Sequence, residues 1–417
     1  MSLRKISPRL VTAFAMAALV LAGSIASAPV YAQKAKGPTI SKAVAKEMKA
    51  AQDALNAKQW DTALAKLSEA SSKSGKTPFD QHMINEFQGF AYVRKGNYAE
   101  AARELEAGLN SGFLASGEVG TRVKALSQLN YQTKNYSKAV EYGQRAISNG
   151  WADEDIYTLV AQAKYVTNDY KGTYKFVNDW VTAQQKRGQT PKEQSLQLML
   201  SSCIKLDDSD CTSNSLEKLV TYYPKTEYWQ NLVTTMMRDR GNSERQTLNV
   251  FRLAQEVDAI RSGDDYVEMA QLAIEQGLPG EAQSVLETAM SKKLFTEQRE
   301  IDRAQRLLDS AKKQANDDRG TLASQAKTAS ANKAGDADVR LGYAYMSYGM
   351  NAEAIAAIER GLAKGDVKNL DEAKLMLGVA NLKAGNKDAA KKAFAEVKAD
   401  PKLSRLASLW RLHAASI

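Results

Sequence analysis

Apolar and small residues recur along this chain at three- and four-residue steps, the spacing of an amphipathic helix, in stretches paired across short polar turns. Residues 84–95 show the pattern well. A small residue, Gly89, leaves room for a second helix, and Tyr92 fills the space beside it. Gly96-Asn97 turns the chain. Tyr98 then opens the second helix, Ala101 is placed to pack against Gly89, and Leu105 and Gly108 complete the inner face. The aromatic that opens the second helix returns as Trp60, Tyr98, Tyr136 and Tyr170, in steps of 38, 38 and 34 residues. A period in this range predicts a solenoid of stacked helical hairpins. Abundant Ala, Leu, Gln, Lys and Glu, with only 8 prolines, favour helix throughout.

Gly89, Tyr92, Gly96, Tyr98, Ala101 and Leu105 resemble the tetratricopeptide repeat family. So do Gly342, Tyr345, Gly349, Ala354, Ile358 and Gly361, and a third set, Gly378, Leu382, Gly385, Ala390, Phe394 and Pro401. Weaker copies hold Ala51, Trp60, Ala63 and Leu67; Tyr136, Ala139 and Ala146; Ala161 and Tyr170; and Ala270, Gly277, Ala282, Leu286 and Ala289. The family's tryptophan early in the first helix is missing, with Phe87 its nearest substitute. The resemblance implies an all-α fold, a right-handed α-solenoid of stacked hairpins.

The ends change the picture of where the chain works. Residues 1–32 read as a secretory signal peptide: Arg4, Lys5 and Arg9, an uncharged apolar run over 11–22, then Val30-Tyr31-Ala32 before Gln33. Ala26-Ser27-Ala28 is a second possible cleavage signal, followed by Pro29. The apolar run is too short to span a bilayer, which takes about 20 residues, and an uncleaved anchor is the competing reading. Cleavage after Ala32 lowers the formal charge from +9 to +6, a modest excess spread among mixed signs rather than a nucleic-acid stripe. A periplasmic or secreted protein with no later membrane span and no nucleic-acid partner is expected.

Four stretches follow from these patterns: the signal segment (1–32), an N-terminal array (33–314, divergent from about 190), a polar segment (315–335) and a C-terminal pair of repeats with a capping helix (336–417). The polar segment has Leu322 as its only large aliphatic, so it reads as a linker unable to bury a core, or as a long solvated helix. Leu403, Leu406, Leu409, Trp410 and Leu412 form the face of a terminal helix that covers the last repeat.

Cys203 and Cys211 stand eight residues apart, at the facing ends of two helices joined by Asp207-Asp208-Ser209-Asp210. In an exported chain they suit a disulfide, with two free thiols as the alternative. C-x-x-C spacing and a nearby histidine, which a redox or zinc pair would need, are both missing. The loop aspartates lack the glycine and terminal glutamate of a calcium loop. His82 and His413 stand near opposite ends of the chain, and no glycine-rich phosphate loop occurs, so no catalytic residue, cofactor or metal site is expected.

The family resemblance implies that first helices line a concave groove. It places Phe90, Arg94, Lys124, Gln128, Tyr131, Gln132, Gln162 and Tyr165 there, with Tyr343 and Met346 in the C-terminal pair. Glutamine and tyrosine along one face suit hydrogen bonds to peptide backbone with apolar contact. The competing reading packs Tyr131 and Tyr165 between hairpins. The function expected is a non-enzymatic scaffold binding peptide segments or helices of envelope proteins. The alternatives are a structural subunit of a secretion, envelope-assembly or energy-transducing complex, and a cell-wall-acting enzyme or its regulator.

Overall fold

The computed structural model describes residues 38–237 and 241–417. The expected signal segment and its cleavage site at Ala32 lie outside the described residues. Those residues form helices and turns with no strand. In chain order the helices are α1 (Ala45–Asn56), α2 (Trp60–Ser72), α3 (Pro78–Lys95), α4 (Tyr98–Asn110), α5 (Ser116–Gln132), α6 (Tyr136–Ser148), α7 (Glu154–Val166), α8 (Tyr170–Lys186) and α9 (Glu193–Lys205). Then come α10 (Ser209–Tyr222), α11 (Thr226–Met237), α12 (Glu244–Glu256), α13 (Gly263–Glu275), α14 (Pro279–Ser291), α15 (Gln298–Ala331), α16 (Asp336–Ser347), α17 (Asn351–Lys364), α18 (Leu370–Lys383), α19 (Lys387–Ala395) and α20 (Pro401–Ser416). They make two compact units, one ending at Asp208 and one beginning at Ser209.

One spacing recurs in seven hairpins. A small residue in the first helix stands sixteen positions before a buried residue of the second: Ala51 and Leu67, Gly89 and Leu105, Ser127 and Gly143, Ala161 and Val177, Ala270 and Leu286, Gly342 and Ile358, and Gly378 and Phe394; the two are in close contact at Gly89, Gly143, Gly342 and Gly378. Every member is buried. A Cβ placed on Gly89 would come within 2.5 Å of Leu105 Cδ2, so the helices approach as closely as hydrogen at that position allows. Leu105, not Ala101, makes this closest approach. In the third hairpin the small residue has moved to the second helix as Gly143, and the Ser127 hydroxyl donates to the Ala139 carbonyl at 2.8 Å.

The turns share a second regularity. Two residues before each opening aromatic, Lys58, Gly96, Lys134 and Asn168 all have positive φ, between 58° and 80°. The following amide donates back five residues, as Asn135 does to the Asn130 carbonyl at 2.8 Å, which closes the helix end. Glycine takes this conformation without steric cost, whereas the lysines pay for it.

In the first unit, hairpins α1–α2, α3–α4, α5–α6 and α7–α8 are followed by α9. Among first helices, α1 touches α3, and α5, α7 and α9 touch in series. Cys203 and Cys211 are joined in a disulfide.

The second unit holds the departures from expectation. Residues 315–331 are the second half of α15, so this segment takes the helical alternative and is not fully solvated. Ala304, Leu308, Ala311, Ala315, Leu322 and Ala329 make a buried stripe along α15, and Leu322 and Ala329 pack with Leu341, Ala344 and Ala357. A narrow stripe needs only alanine at most positions, because the neighbouring helix comes close enough to cover it. The helix stops where Lys364 Nζ donates to the carbonyls of Ala329, Ser330 and Asn332 at 2.8–3.0 Å. Lys364 and Arg360 both pair with the fully buried Asp338 at 2.6 Å.

The capping face of α20 is buried at Leu403, Leu406, Leu409 and Trp410, and Trp410 stacks on Phe394 at 5.9 Å. The helix also returns to the start of its unit. Arg405 pairs with Glu217 of α10, and Asp400 accepts from Gln246 of α12 at 2.9 Å. His413 lies 3.6 Å from Glu256 and edge-on to Trp229. The second unit is therefore closed on itself.

Candidate functional site

Two surfaces carry the candidate residues, one in each unit. In the first unit Phe90 is buried, edge-on to Trp60 at 6.1 Å, with the Arg94 guanidinium 5.1 Å from its ring centre. Lys124 pairs with Asp153 at 2.8 Å on α5, and Gln128, Tyr131 and Gln132 follow it half-buried. Tyr131 meets Tyr136 edge-on at 5.5 Å, and its hydroxyl lies 3.3 Å from Gln162 Oε1 on α7. Tyr165 meets Tyr170 in the same way at 5.2 Å. Burial, followed by the neighbouring tyrosine, holds both phenols above their ordinary pKa, so they remain hydroxyls at neutral pH. Each ring thus packs on the aromatic that opens its partner helix while half-exposed. The fold brings Tyr131 and Gln162 together from adjacent hairpins, and Phe90 and Arg94 within one helix.

Tyr343 and Met346 lie elsewhere, inside the closed second unit. They line a cavity of about 350 Å³ with Arg252, Gln255, Arg319, Asn351, Met376 and Lys383 among its walls. An adjoining cavity of about 510 Å³ shares Arg252 and Tyr343 and adds Arg245 and Glu372. Sequence reasoning missed the polar groups here. Arg252 makes a two-pronged pair with Glu281 at 2.6 and 2.7 Å, donates to Asn249 Oδ1 at 2.6 Å and lies 3.3 Å from Met376 Sδ. Its side chain is 9% exposed and that of Glu281 17%. Burial works against the Arg252 charge, but Glu281 outweighs it and holds the guanidinium above its ordinary pKa. Glu372 of α18 accepts from Arg245 at 3.0 Å and Asn249 at 3.1 Å. The signal available in the sequence was Arg245, Asn249 and Arg252 at helical spacing, a polar stripe between apolar neighbours.

Two polar atoms on the smaller cavity's lining residues are buried without a partner: the Tyr343 hydroxyl and Asn351 Oδ1. Burial, with Glu372 next, raises the Tyr343 pKa well above the phenol value, so the group is a hydroxyl able to donate. Among the described residues no three His, Cys, Asp or Glu side chains are grouped to hold a metal, and no helix is long and apolar enough to cross a membrane.

No protein-family model matches the chain, and no curated protein does. Solved structures with similar arrangements include a tetratricopeptide repeat protein from Parabacteroides merdae, 13% identical, covering 79% of this chain and 98% of that one, with a TM-score of 0.30. The TPR2AB domain of yeast Sti1 in complex with pHSP90 is 15% identical over 64% of this chain and 98% of its own, with a TM-score of 0.33. Yeast Tom70 is 10% identical over 89% and 96%, with a TM-score of 0.24. Likeness at this level carries nothing about partner or activity. The repeated spacing of buried positions and the shared turn define the hairpin from the chain itself. Each unit is built of stacked helical hairpins. In the N-terminal unit the α5 and α7 candidates lie half-exposed, and in the second unit the candidates line a cavity.

Proposed function

We propose that the chain is an exported, non-enzymatic scaffold that captures peptide segments or helices of other envelope proteins on the first-helix face of its N-terminal unit. The observation that carries this reading is the row Lys124, Gln128, Tyr131, Gln132, Gln162 and Tyr165 on the touching helices α5 and α7. Ring contacts and the Tyr131–Gln162 bond hold Tyr131, Gln162 and Tyr165 in place, yet these three stay half-exposed, so they lose little rotamer freedom on binding. Export rests on the basic, apolar and small-residue sequence of 1–32, and the disulfide suits an oxidising compartment.

Changing Gln128, Gln132 and Gln162 together to alanine tests the surface while leaving the tyrosine packing intact. The variant should melt like the parent and retrieve less of its co-purifying envelope partner after crosslinking. Undiminished retrieval by a folded variant would remove this face from the proposal.

A further inference from the structure

We infer that the edge of the first unit that carries its hairpin turns docks on the surface of an anionic phospholipid bilayer. This edge is distinct from the first-helix face proposed above to take peptide. Contacts at both ends set the first helices of the unit side by side with the same direction. Near their starts Ser41 meets Asp80, Phe79 meets Phe113, and Lys124 meets Asp153. Toward their ends Lys95 meets Asp61 and Tyr131 meets Gln162. The turns at Lys58, Gly96, Lys134 and Asn168 therefore share one edge, and all four of these residues are exposed.

The edge is basic. Asp61 pairs with Lys95, Asp169 pairs with Lys164 at 3.1 Å, and Lys138 reaches inward to Glu106 at 2.6 Å. Among the described residues Lys58, Lys134 and Lys171 form no ion pair, and all three are exposed. Arg94, over the Phe90 ring, adds a further cation, and Glu100 is the acid of these turns that the pairs leave over. Positive charge prevails. Lys58 and Lys134 hold φ 58° and 61°, the left-handed position that Gly96 fills in the second hairpin. A side chain kept there against a steric cost is expected where the side chain itself serves. Beside the cations stand Trp60, Tyr98, Tyr136 and Tyr170, one to each turn and half-buried. Lysine set among partly exposed Trp and Tyr suits the boundary between lipid and water. A row of separate tips meets a plane at several points at once, whereas an acidic polypeptide calls for a continuous groove. Each lysine brought near anionic headgroups adds an attraction that salt screens.

The test is co-sedimentation of the exported chain with vesicles of equal parts phosphatidylglycerol and phosphatidylcholine, and with vesicles of phosphatidylcholine alone. At low salt the mixed vesicles should retain the chain about tenfold better than the neutral ones, and retention should fall as salt rises. Lys58→Gln, Lys134→Gln and Lys171→Gln should each weaken retention about fivefold. Lys58→Gly combined with Lys134→Gly should weaken it as the matching glutamine pair does, yet melt no lower than the parent, because glycine adopts these turns freely. The alanine variant of Gln128, Gln132 and Gln162 should bind vesicles as the parent does, which separates this edge from the peptide-binding face. Equal retention on neutral vesicles, unchanged retention in the folded lysine variants, a lower melting temperature of the glycine pair, or a loss caused by the alanine variant would each overturn the inference. So would binding to soluble polyglutamate where the mixed vesicles retain nothing, an outcome that assigns the edge to an acidic polypeptide.

Discussion

Removing Glu281 should destabilise the second unit more than removing its partner. The Arg252–Glu281 pair is two-pronged, with both bonds at 2.6–2.7 Å, and both groups are largely desolvated. Breaking a buried pair from one side costs about 3–5 kcal/mol, chiefly because the remaining charge has lost its partner. Glu281→Leu leaves Arg252, at 9% exposure, with only Asn249 and Met376, so about 3 kcal/mol is expected. Arg252→Met leaves the more exposed Glu281, which water can reach, and places a thioether beside Met376; about 1–2 kcal/mol follows. The double variant leaves no stranded charge and should lie near the parent. For a domain of this size, about 3 kcal/mol is roughly 6–12 °C in melting temperature. Scanning calorimetry on parent, both single variants and the double variant completes the cycle. If the two single costs simply add in the double variant, the pair does not act as a unit and the reasoning fails.

Lys134→Gly should raise the stability of the first unit by about 1 kcal/mol, because Lys134 holds a left-handed turn at φ 61° that glycine adopts freely; a drop in urea midpoint would contradict it. His82 is buried and its Nδ1 lies 2.8 Å from the Ser111 hydroxyl, and burial, with Glu86 opposing, holds its pKa below the ordinary value. Its neutral form is therefore favoured on folding. That contribution is fully present above about pH 6.5 and is lost as pH falls from there toward the depressed folded value. His82→Gln should flatten this part of the stability profile, and an unchanged profile would count against the assignment. Reducing the Cys203–Cys211 disulfide, which closes a short loop, should cost about 2.5 kcal/mol. Melting with and without reductant reads the cost directly, and identical curves would contradict it.

The hairpins were legible because their register is local. Gly89, Gly96 and Tyr98 sit within ten residues of one another, and each marks a place where only certain side chains fit. The disulfide was legible for the same reason. Closure of the second unit was not. It depends on small rotations accumulated from α12 to α20, and it brings Arg245 to Glu372, 127 residues away, and Lys402 to Asn242, 160 residues away. No short stretch encodes such a sum. The polar segment misled in a different way. Its composition is that of a solvated chain, and only the positions of Ala315, Leu322 and Ala329 along one stripe show that α15 has a buried edge. At the candidate site Tyr131 and Gln162 meet half-buried from adjacent hairpins, whereas Tyr343 and Met346, expected in an open groove, line a cavity within the second unit.

A linear solenoid can gain or lose a hairpin because each one touches only its neighbours. That freedom holds along the first unit, where the spacing already varies between 38 and 34 residues. It does not hold in the second. There Arg405 must reach Glu217, Asp400 must reach Gln246, and His413 must reach Glu256. Inserting or deleting one hairpin between α13 and α19 would carry α20 past all three. The copy number of repeats is thus free to drift in one half of this chain and is fixed by geometry in the other.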